Sequence, residues 1–352
     1  REIIVQRRIY DGMESNKYYY FMNLLEEIDT PGEYYIDTKA LKLYYYPLPD
    51  IDYGTADIRL AGGMKDNLLK LEGTQFVNFF GISFGEGVRY GIDIENSKQI
   101  RFTDCDVKNF GSYAVYINKS EYITIDNCDF YSLDRGGIKI ENTGDDETLR
   151  PAGILIDNCY FASWDCEVKL AYAVYVAKIG TTLRNSEFSG SKHQVLAVQG
   201  NENLIENCEI YDACKESDDS GAIYSGRSWR IRGTTLRNNC FHSNYGKANS
   251  HSIYWDDGEI GHYHYNNLFY DVRDSRSIKG GAEEAVFDGN IFIGGLGGIF
   301  SLTSPTLIND ANALHGSALI NSLNGVPVDN PWWSSKYPNL QYKAKSELQG
   351  IS

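Results

Sequence analysis

Asp104-Cys105-Asp106-Val107, Asn127-Cys128-Asp129-Phe130 and Asn158-Cys159-Tyr160-Phe161 are three copies of one phrase: a turn-forming residue, a small one, a polar one and a large apolar one. An earlier copy reads Gly81-Ile82-Ser83-Phe84. Later ones read Asn185-Ser186-Glu187-Phe188, Asn207-Cys208-Glu209-Ile210, Asn238-Asn239-Cys240-Phe241, Asn266-Asn267-Leu268-Phe269 and Gly289-Asn290-Ile291-Phe292. The second residue of the phrase falls at 82, 105, 128, 159, 186, 208, 239, 267 and 290, so the intervals are 23, 23, 31, 27, 22, 31, 28 and 23. A base period near 23 with occasional longer steps is the pattern of a solenoid whose loops lengthen on some turns.

About ten residues after each phrase comes a second strand-like segment, such as Tyr113-Ala114-Val115-Tyr116-Ile117, Gly137-Ile138-Lys139-Ile140 and Ala173-Val174-Tyr175-Val176. Alternation along a strand sends Val115, Ile138, Val174, Leu196, Ile223 and Ile253 inward and Tyr116, Lys139, Tyr175, Tyr224, Tyr254 and Lys279 outward. Equivalent positions on successive turns stack about 4.8 Å apart. Phe84, Phe130, Phe161, Phe188, Phe241, Phe269 and Phe292 then form an inner aromatic ladder. Cys105, Cys128, Cys159 and Cys208 share another column and read as small buried side chains, since no CxxC pair occurs. Leucine-rich repeats have a similar period, but their leucine spacing and intervening helices are absent. The fold expected is all-β, a right-handed parallel β-helix of about nine or more turns.

The bulk composition agrees. Of 352 residues, 42% are hydrophobic and 23% charged, which is globular, and 27 tyrosines favour strands. A formal net charge of -15 argues against a nucleic-acid partner. No apolar run is long enough for a membrane span. The chain opens on Arg1 rather than Met, which reads as a processed or shortened form from which any export signal has been lost. One short helical stretch is expected, Asn23 to Ile28, with Asn23 as its cap. Three regions follow: residues 1–70, a lead-in with a hairpin of Glu33–Asp37 and Lys42–Pro47, packed on the helix; 71–302, the β-helix; and 303–352, a C-terminal cap containing Asn330-Pro331-Trp332-Trp333.

Function on such a scaffold belongs on an outward sheet edged by the longer loops. The longest insertions follow Asn142, Trp164, Tyr211 and Ser243. Two acidic segments lie on those turns: Glu216-Ser217-Asp218-Asp219-Ser220-Gly221-Ala222-Ile223-Tyr224-Ser225-Gly226-Arg227-Ser228-Trp229 and His251-Ser252-Ile253-Tyr254-Trp255-Asp256-Asp257-Gly258-Glu259. Acidic pairs on adjacent turns suggest the two carboxylates of glycoside hydrolysis, one protonating the leaving oxygen and one acting as base or nucleophile. Asp-Asp-Ser-Gly and Asp-Asp-Gly are equally good turn signals. Register puts Asp256 in the outward column of Glu141 and Gln199, with Tyr224 and Tyr254 beside it as a floor for sugar rings. Asp219 precedes its strand while Asp256 ends its own, so straight strands would separate them by about 20 Å. The segment ahead of Ser220 must fold back over the sheet for them to meet. His193 and His251, near the Asp219 end, offer a second constellation, and Arg227 a bidentate carboxylate partner.

The run from Asn23 to Asp37, the following Leu43-Tyr44-Tyr45-Tyr46-Pro47, the segment from Glu216 to Trp229 and Ile253-Tyr254-Trp255-Asp256-Asp257-Gly258 together resemble a group of bacterial carbohydrate-active β-helix proteins, best represented by glycoside hydrolase family 141. The resemblance spans about residues 20 to 340. It implies fucosidase- or xylanase-like hydrolysis with Asp219 and Asp256 as the catalytic pair, and Asp218 and Asp257 as adjacent alternatives. The remaining site candidates are His193, His251 and Arg227 in supporting roles and Tyr224, Tyr254, Gln199, Glu141 and Trp229 against the substrate. No cofactor is expected and no metal ligand is assigned. The rival readings are a polysaccharide lyase or epimerase on uronate chains, in which Asp218, Asp219, Asp256 and Asp257 would bind Ca²⁺, and a non-catalytic glycan-binding β-helix. The expected partner is a polysaccharide or oligosaccharide, and the expected location secreted, periplasmic or cell-surface.

Overall fold

The structure is a computed structural model, described here for residues 21–59, 67–165, 170–226, 228–244, 246, 249–256, 259, 261–272, 276–280, 284–294, 300–301 and 325–340. The chain forms two compact units, residues 1–59 and 60–352. The first contains the expected hairpin, Tyr34–Asp37 paired antiparallel with Lys42–Tyr45. Among its described residues the helical element is a single 3-10 turn, Leu25–Glu27. Asn23 does not cap it: this residue sits at a left-handed φ of 56° and its side-chain oxygen accepts from the Ile36 N–H at 3.3 Å.

The second unit is the solenoid, with three parallel sheets. Among the described residues, nine strands make up each of two sheets, beginning at Gln75–Phe80 and Ser83–Gly87, and ten make up the third, which begins at Leu69–Glu72 and ends at Phe300–Ser301. The copies of the sequence phrase are the corners between the two nine-stranded sheets. The first residue of each copy is left-handed: Asp104, Asn127, Asn158, Asn185, Asn207, Asn238 and Asn266 have φ between 51° and 56°, and Gly81 and Gly289 have 66° and 65°. Asn, Asp and Gly are the residues that tolerate this conformation.

In the copies from Asp104 to Asn266 the second residue of the phrase points inward and is buried or half-buried at the corner, whereas Ile82 in the first copy is exposed. The Cys105, Cys128, Cys159 and Cys208 thiols donate to the carbonyls two residues before them, at 3.2–3.3 Å. On later turns asparagine does more. Asn239 and Asn267 are buried, and each side-chain amide donates both to a backbone carbonyl and to the next asparagine up the column.

All six inward aliphatics are buried. The phenylalanine ladder is present but interrupted by Val107 and Ile210, which occupy the same register. Where it is continuous, Phe130, Phe161 and Phe188 stack at 4.7 and 4.8 Å, as do Phe241, Phe269 and Phe292 at 4.8 Å. Each fully buried ring contributes about 2–3 kcal/mol by removing apolar surface from water.

The described part of the C-terminal region lies along the flank of the column. Asn330 caps a short α-helix, Pro331–Lys336, by accepting from the Trp332 N–H at 2.9 Å. Trp333 is buried and donates to the Asp146 carbonyl at 2.8 Å, Tyr337 donates to Glu202, and Arg230 donates to the Gly325 carbonyl at 2.7 Å. The region read as an end cap is thus, over residues 325–340, a strap tied to side loops.

Candidate active site

The ten-stranded sheet carries two outward columns side by side. Asp93, Tyr116, Lys139, Tyr175, Ala197, Tyr224, Tyr254 and Lys279 form one. The other runs through Glu95, Asn118 and Glu141, and ends with Gly226 beside Asp256. Lys139 lies between two tyrosine rings, 5.7 Å from that of Tyr116 and 5.6 Å from that of Tyr175, and pairs with Glu141 at 2.9 Å.

The adjacent strands Ser220–Gly226 and Ser250–Asp256 carry a tyrosine pair, and each of the two acids meets a different member of it. Asp256 is 7% exposed and accepts from the Tyr224 hydroxyl at 3.0 Å. Asp219, with its side chain 67% exposed, accepts from the Tyr254 hydroxyl at 3.3 Å and lies 3.7 Å from the Lys279 ammonium. The rings of Tyr224 and Tyr254 meet edge to face with centroids 5.6 Å apart. Asp219 accomplishes this from the residue before its strand because its backbone is left-handed, φ 53°, and Tyr254 extends a long side chain toward it. A carboxylate that the bare register places at the far end of the strand is thereby linked, through two tyrosines, to Asp256.

Gly226 makes room for this. A Cβ there would lie 2.8 Å from the Asp256 Cβ, and its glycine permits the close approach.

The other candidates distribute unevenly. Asp218 is a turn residue: one carboxylate oxygen accepts from the N–H groups of Asp219 and Asn249 at 3.0 and 3.1 Å, tying two coils together. His251 is buried, its ring 5.1 Å from that of Tyr254. His193 is pushed down to about 4 by burial, so it is neutral at neutral pH and supplies no cation to Asp219. Glu141 accepts from Tyr116 at 3.0 Å, several coils away from Asp256. Gln199 borders an open pocket of about 510 Å³ with Asp146, Glu147, Lys178, Asn201 and Arg230. Arg230 holds Asp146 and Glu147 at 3.1 and 2.7 Å there, and Lys178 holds Asp146 at 3.2 Å.

Two substrate assignments need correction. Trp229 is fully buried, so its ring packs inside the protein instead of facing a ligand. Tyr254 is 4% exposed, with the Lys279 ammonium 4.2 Å above its ring and donating to its hydroxyl at 2.8 Å; only Tyr224 keeps the partial exposure that a sugar floor requires. Asp257 and Arg227 lie outside the described residues.

Behind Asp256 lies a polar cluster that the sequence did not announce. The Glu259 N–H donates to the Asp256 carbonyl at 3.2 Å, and its side chain reaches the His262 Nε2 at 2.9 Å. Trp255 stacks on His262 at 4.0 Å and donates to the His264 Nε2 at 2.9 Å. Glu259, His262 and His264 are all fully buried. Burial, reinforced by the Asp256 charge, raises the Glu259 carboxyl well above its ordinary range, and burial lowers His262 and takes His264 to about 4. The Glu259 and His262 shifts both disfavour an ion pair at their contact. The sequence signal was the Glu259/His262 spacing followed by His264, visible only once these residues were known to face inward.

A family model described as "Right handed beta helix region" matches residues 70–148 and 90–177. No curated protein sequence matches significantly. Among solved structures, a "Glycoside hydrolase" superposes with TM-score 0.56 at 16% identity, covering 84% of this chain and 59% of that one. An alginate lyase from Paenibacillus sp. str. FPU-7 gives 0.49 at 15% identity, covering 67% and 77%. The tailspike protein of E. coli bacteriophage HK620 in complex with pentasaccharide gives 0.43 at 13%, covering 65% and 49%. At these identities the likeness is one of fold, and the chain is a right-handed parallel β-helix. It spans under two thirds of the glycoside hydrolase it resembles.

Proposed function

We propose that the protein is a glycoside hydrolase that binds a glycan chain along the outward face of its ten-stranded sheet and cleaves it with Asp219 and Asp256. The observation that carries this reading is that two acids from adjacent coils each accept from one hydroxyl of the Tyr224–Tyr254 pair, whose rings meet edge to face. Asp256, lodged against Gly226 and oriented by the Tyr224 hydroxyl, is the carboxylate suited to act as base or nucleophile. Asp219, exposed to solvent, would be the acid that protonates the glycosidic oxygen. Two carboxyl groups are the minimum equipment for either stereochemical course. The resemblance of the acidic segments to glycoside hydrolase family 141 and the fold likeness to a glycoside hydrolase support the class. A polymeric substrate would place the enzyme outside the cytoplasm, secreted, periplasmic or on the cell surface.

The test is incubation with neutral and uronate-containing polysaccharides while following new reducing ends and unsaturated products. Asp219→Asn and Asp256→Asn are each expected to lower hydrolysis by about 10²–10⁴-fold. Hydrolysis intact in both variants would remove these residues from the mechanism. One contact favours a second reading: the Lys279 ammonium donates to the Tyr254 hydroxyl at 2.8 Å, a pairing suited to proton abstraction from a uronate in a lyase or epimerase. Unsaturated products, lost in Tyr254→Phe, would establish that reading instead.

A further inference from the structure

The nine-stranded sheet containing Glu187–Ser189, Glu209–Tyr211, Cys240–His242 and Leu268–Tyr270 carries a different constellation on its outer surface. Glu209 and Cys240 are register partners on adjacent strands, and His242 follows Cys240 on the same face while Phe241 between them is buried in the core. One ligand atom from each of Glu209, Cys240 and His242 lies within 4.8 Å of the others. We propose that these three side chains bind a transition-metal ion of the Zn²⁺ type, which bridges two successive coils.

The donors suit that ion. A thiolate, an imidazole and a carboxylate are all Zn²⁺ ligands, and tetrahedral coordination at ordinary bond lengths needs donor atoms about 3.3–3.8 Å apart. The donors here are close enough to reach that spacing by rotation of the Glu209 and Cys240 side chains about the stacked His242 ring. Two anionic donors and one neutral one balance the double positive charge of the ion, and the partial exposure of the cluster leaves the fourth position to water.

The histidine is held for the task. Its ring stacks between Tyr211 and Tyr270, at 4.8 and 4.7 Å, with the planes within 7° and 12° of parallel. Stacking fixes the ring plane but leaves its in-plane lone pair accessible. Nε2 faces a Glu209 oxygen at 2.9 Å, and Nδ1 faces the Ser243 hydroxyl at 3.1 Å. Without an ion, Nε2 carries the proton and donates to Glu209 while Ser243 donates to Nδ1. With one, the ring takes its other neutral tautomer, the proton moving from Nε2 to Nδ1, which donates to the Ser243 hydroxyl, and the bare Nε2 would bind the metal. A hydroxyl can serve both arrangements because it donates and accepts, and such an outer partner is the usual support of a metal-bound histidine.

Co²⁺ provides the test, because a thiolate ligand gives it a charge-transfer absorption. Titration of the full chain is expected to produce that band at one equivalent and Zn²⁺ to abolish it. In Cys240→Ser the band should be missing. His242→Phe keeps a flat ring between the tyrosines but offers no lone pair, and should weaken binding at least 10-fold. The other cysteines among the described residues are buried, so the band reports on Cys240. Saturating Zn²⁺ should raise the Tm of the unaltered protein and leave that of Cys240→Ser unmoved. The proposal is overturned if no band forms, if it persists in Cys240→Ser, or if His242→Phe binds Co²⁺ as tightly as the unaltered protein. None of these readouts involves glycan cleavage, so the two proposals stand or fall separately.

Discussion

Asp165 illustrates how far a single buried carboxyl can govern behaviour. Its Oδ2 accepts from the N–H groups of Lys192 and His193 at 2.8 and 3.2 Å, yet burial still raises it to about 7. The folded protein therefore keeps a proton that the unfolded chain releases near the ordinary carboxylate value, and stability should fall as pH rises from about 4 to about 7. Asp165→Asn retains an acceptor for both N–H groups and cannot ionise. Its advantage over the unaltered protein is expected to grow across that window to a few kcal/mol, on the order of the linked shift. Urea midpoints for both proteins at about pH 4.5 and about pH 8 measure it, and parallel pH dependences would contradict it. Gly226 makes the complementary point about space. Gly226→Ala would put a methyl group 2.8 Å from the Asp256 Cβ and move that carboxylate. Since displacement by about 1 Å costs about 10²-fold, kcat/KM should drop by about 10- to 100-fold, with a smaller change in Tm; unchanged kinetics would detach Asp256 from the reaction.

At the scale of the element, the corner between two sheets is the unit that repeats. Asn267 donates to the Leu236 carbonyl at 3.0 Å and to Asn290 at 2.9 Å, and accepts from both the backbone and the side chain of Asn239 at 3.0 Å. Asn267→Ala strands these buried groups together, so a loss of about 2–4 kcal/mol is expected from urea unfolding, against under about 1 kcal/mol for a surface asparagine such as Asn207 changed to glycine. The corner was legible in the sequence because two narrow demands coincide there, a left-handed residue followed by a small inward hydrogen-bonding one. Strand alternation likewise gave the columns that hold Tyr224, Tyr254 and Asp256 in register. What alternation does not reach is the fate of a side chain past a strand's end. Trp229 follows Gly226 out of its strand and turns inward, Glu259 does the same after Asp256, and Asp219 crosses toward Tyr254 because of one backbone angle. The Pro331–Lys336 helix had its Asn330 cap and its proline in plain view, but six residues are too few for a periodic signal.

For the whole solenoid, the tyrosine-lysine column from Tyr116 to Lys279 has six inter-strand steps, about 29 Å at the usual spacing. A polymer lying along it would meet the Asp219–Asp256 site near one end and Lys139 and Tyr175 toward the other. Oligosaccharide substrates should therefore gain kcat/KM with each added sugar until the column is spanned, a trend that a graded series of chain lengths measures; a plateau at the disaccharide would confine binding to the immediate surroundings of the acids. The parallel pairing that aligns these columns has a mechanical side. Hydrogen bonds between coils run along the column, so a chain pulled by its two ends is loaded as a zipper, one rung at a time. Each rung of 23 residues would pay out about 80 Å of slack. The protein would yield in steps, with its longest loops setting the uneven ones, and would dissipate force gradually instead of snapping.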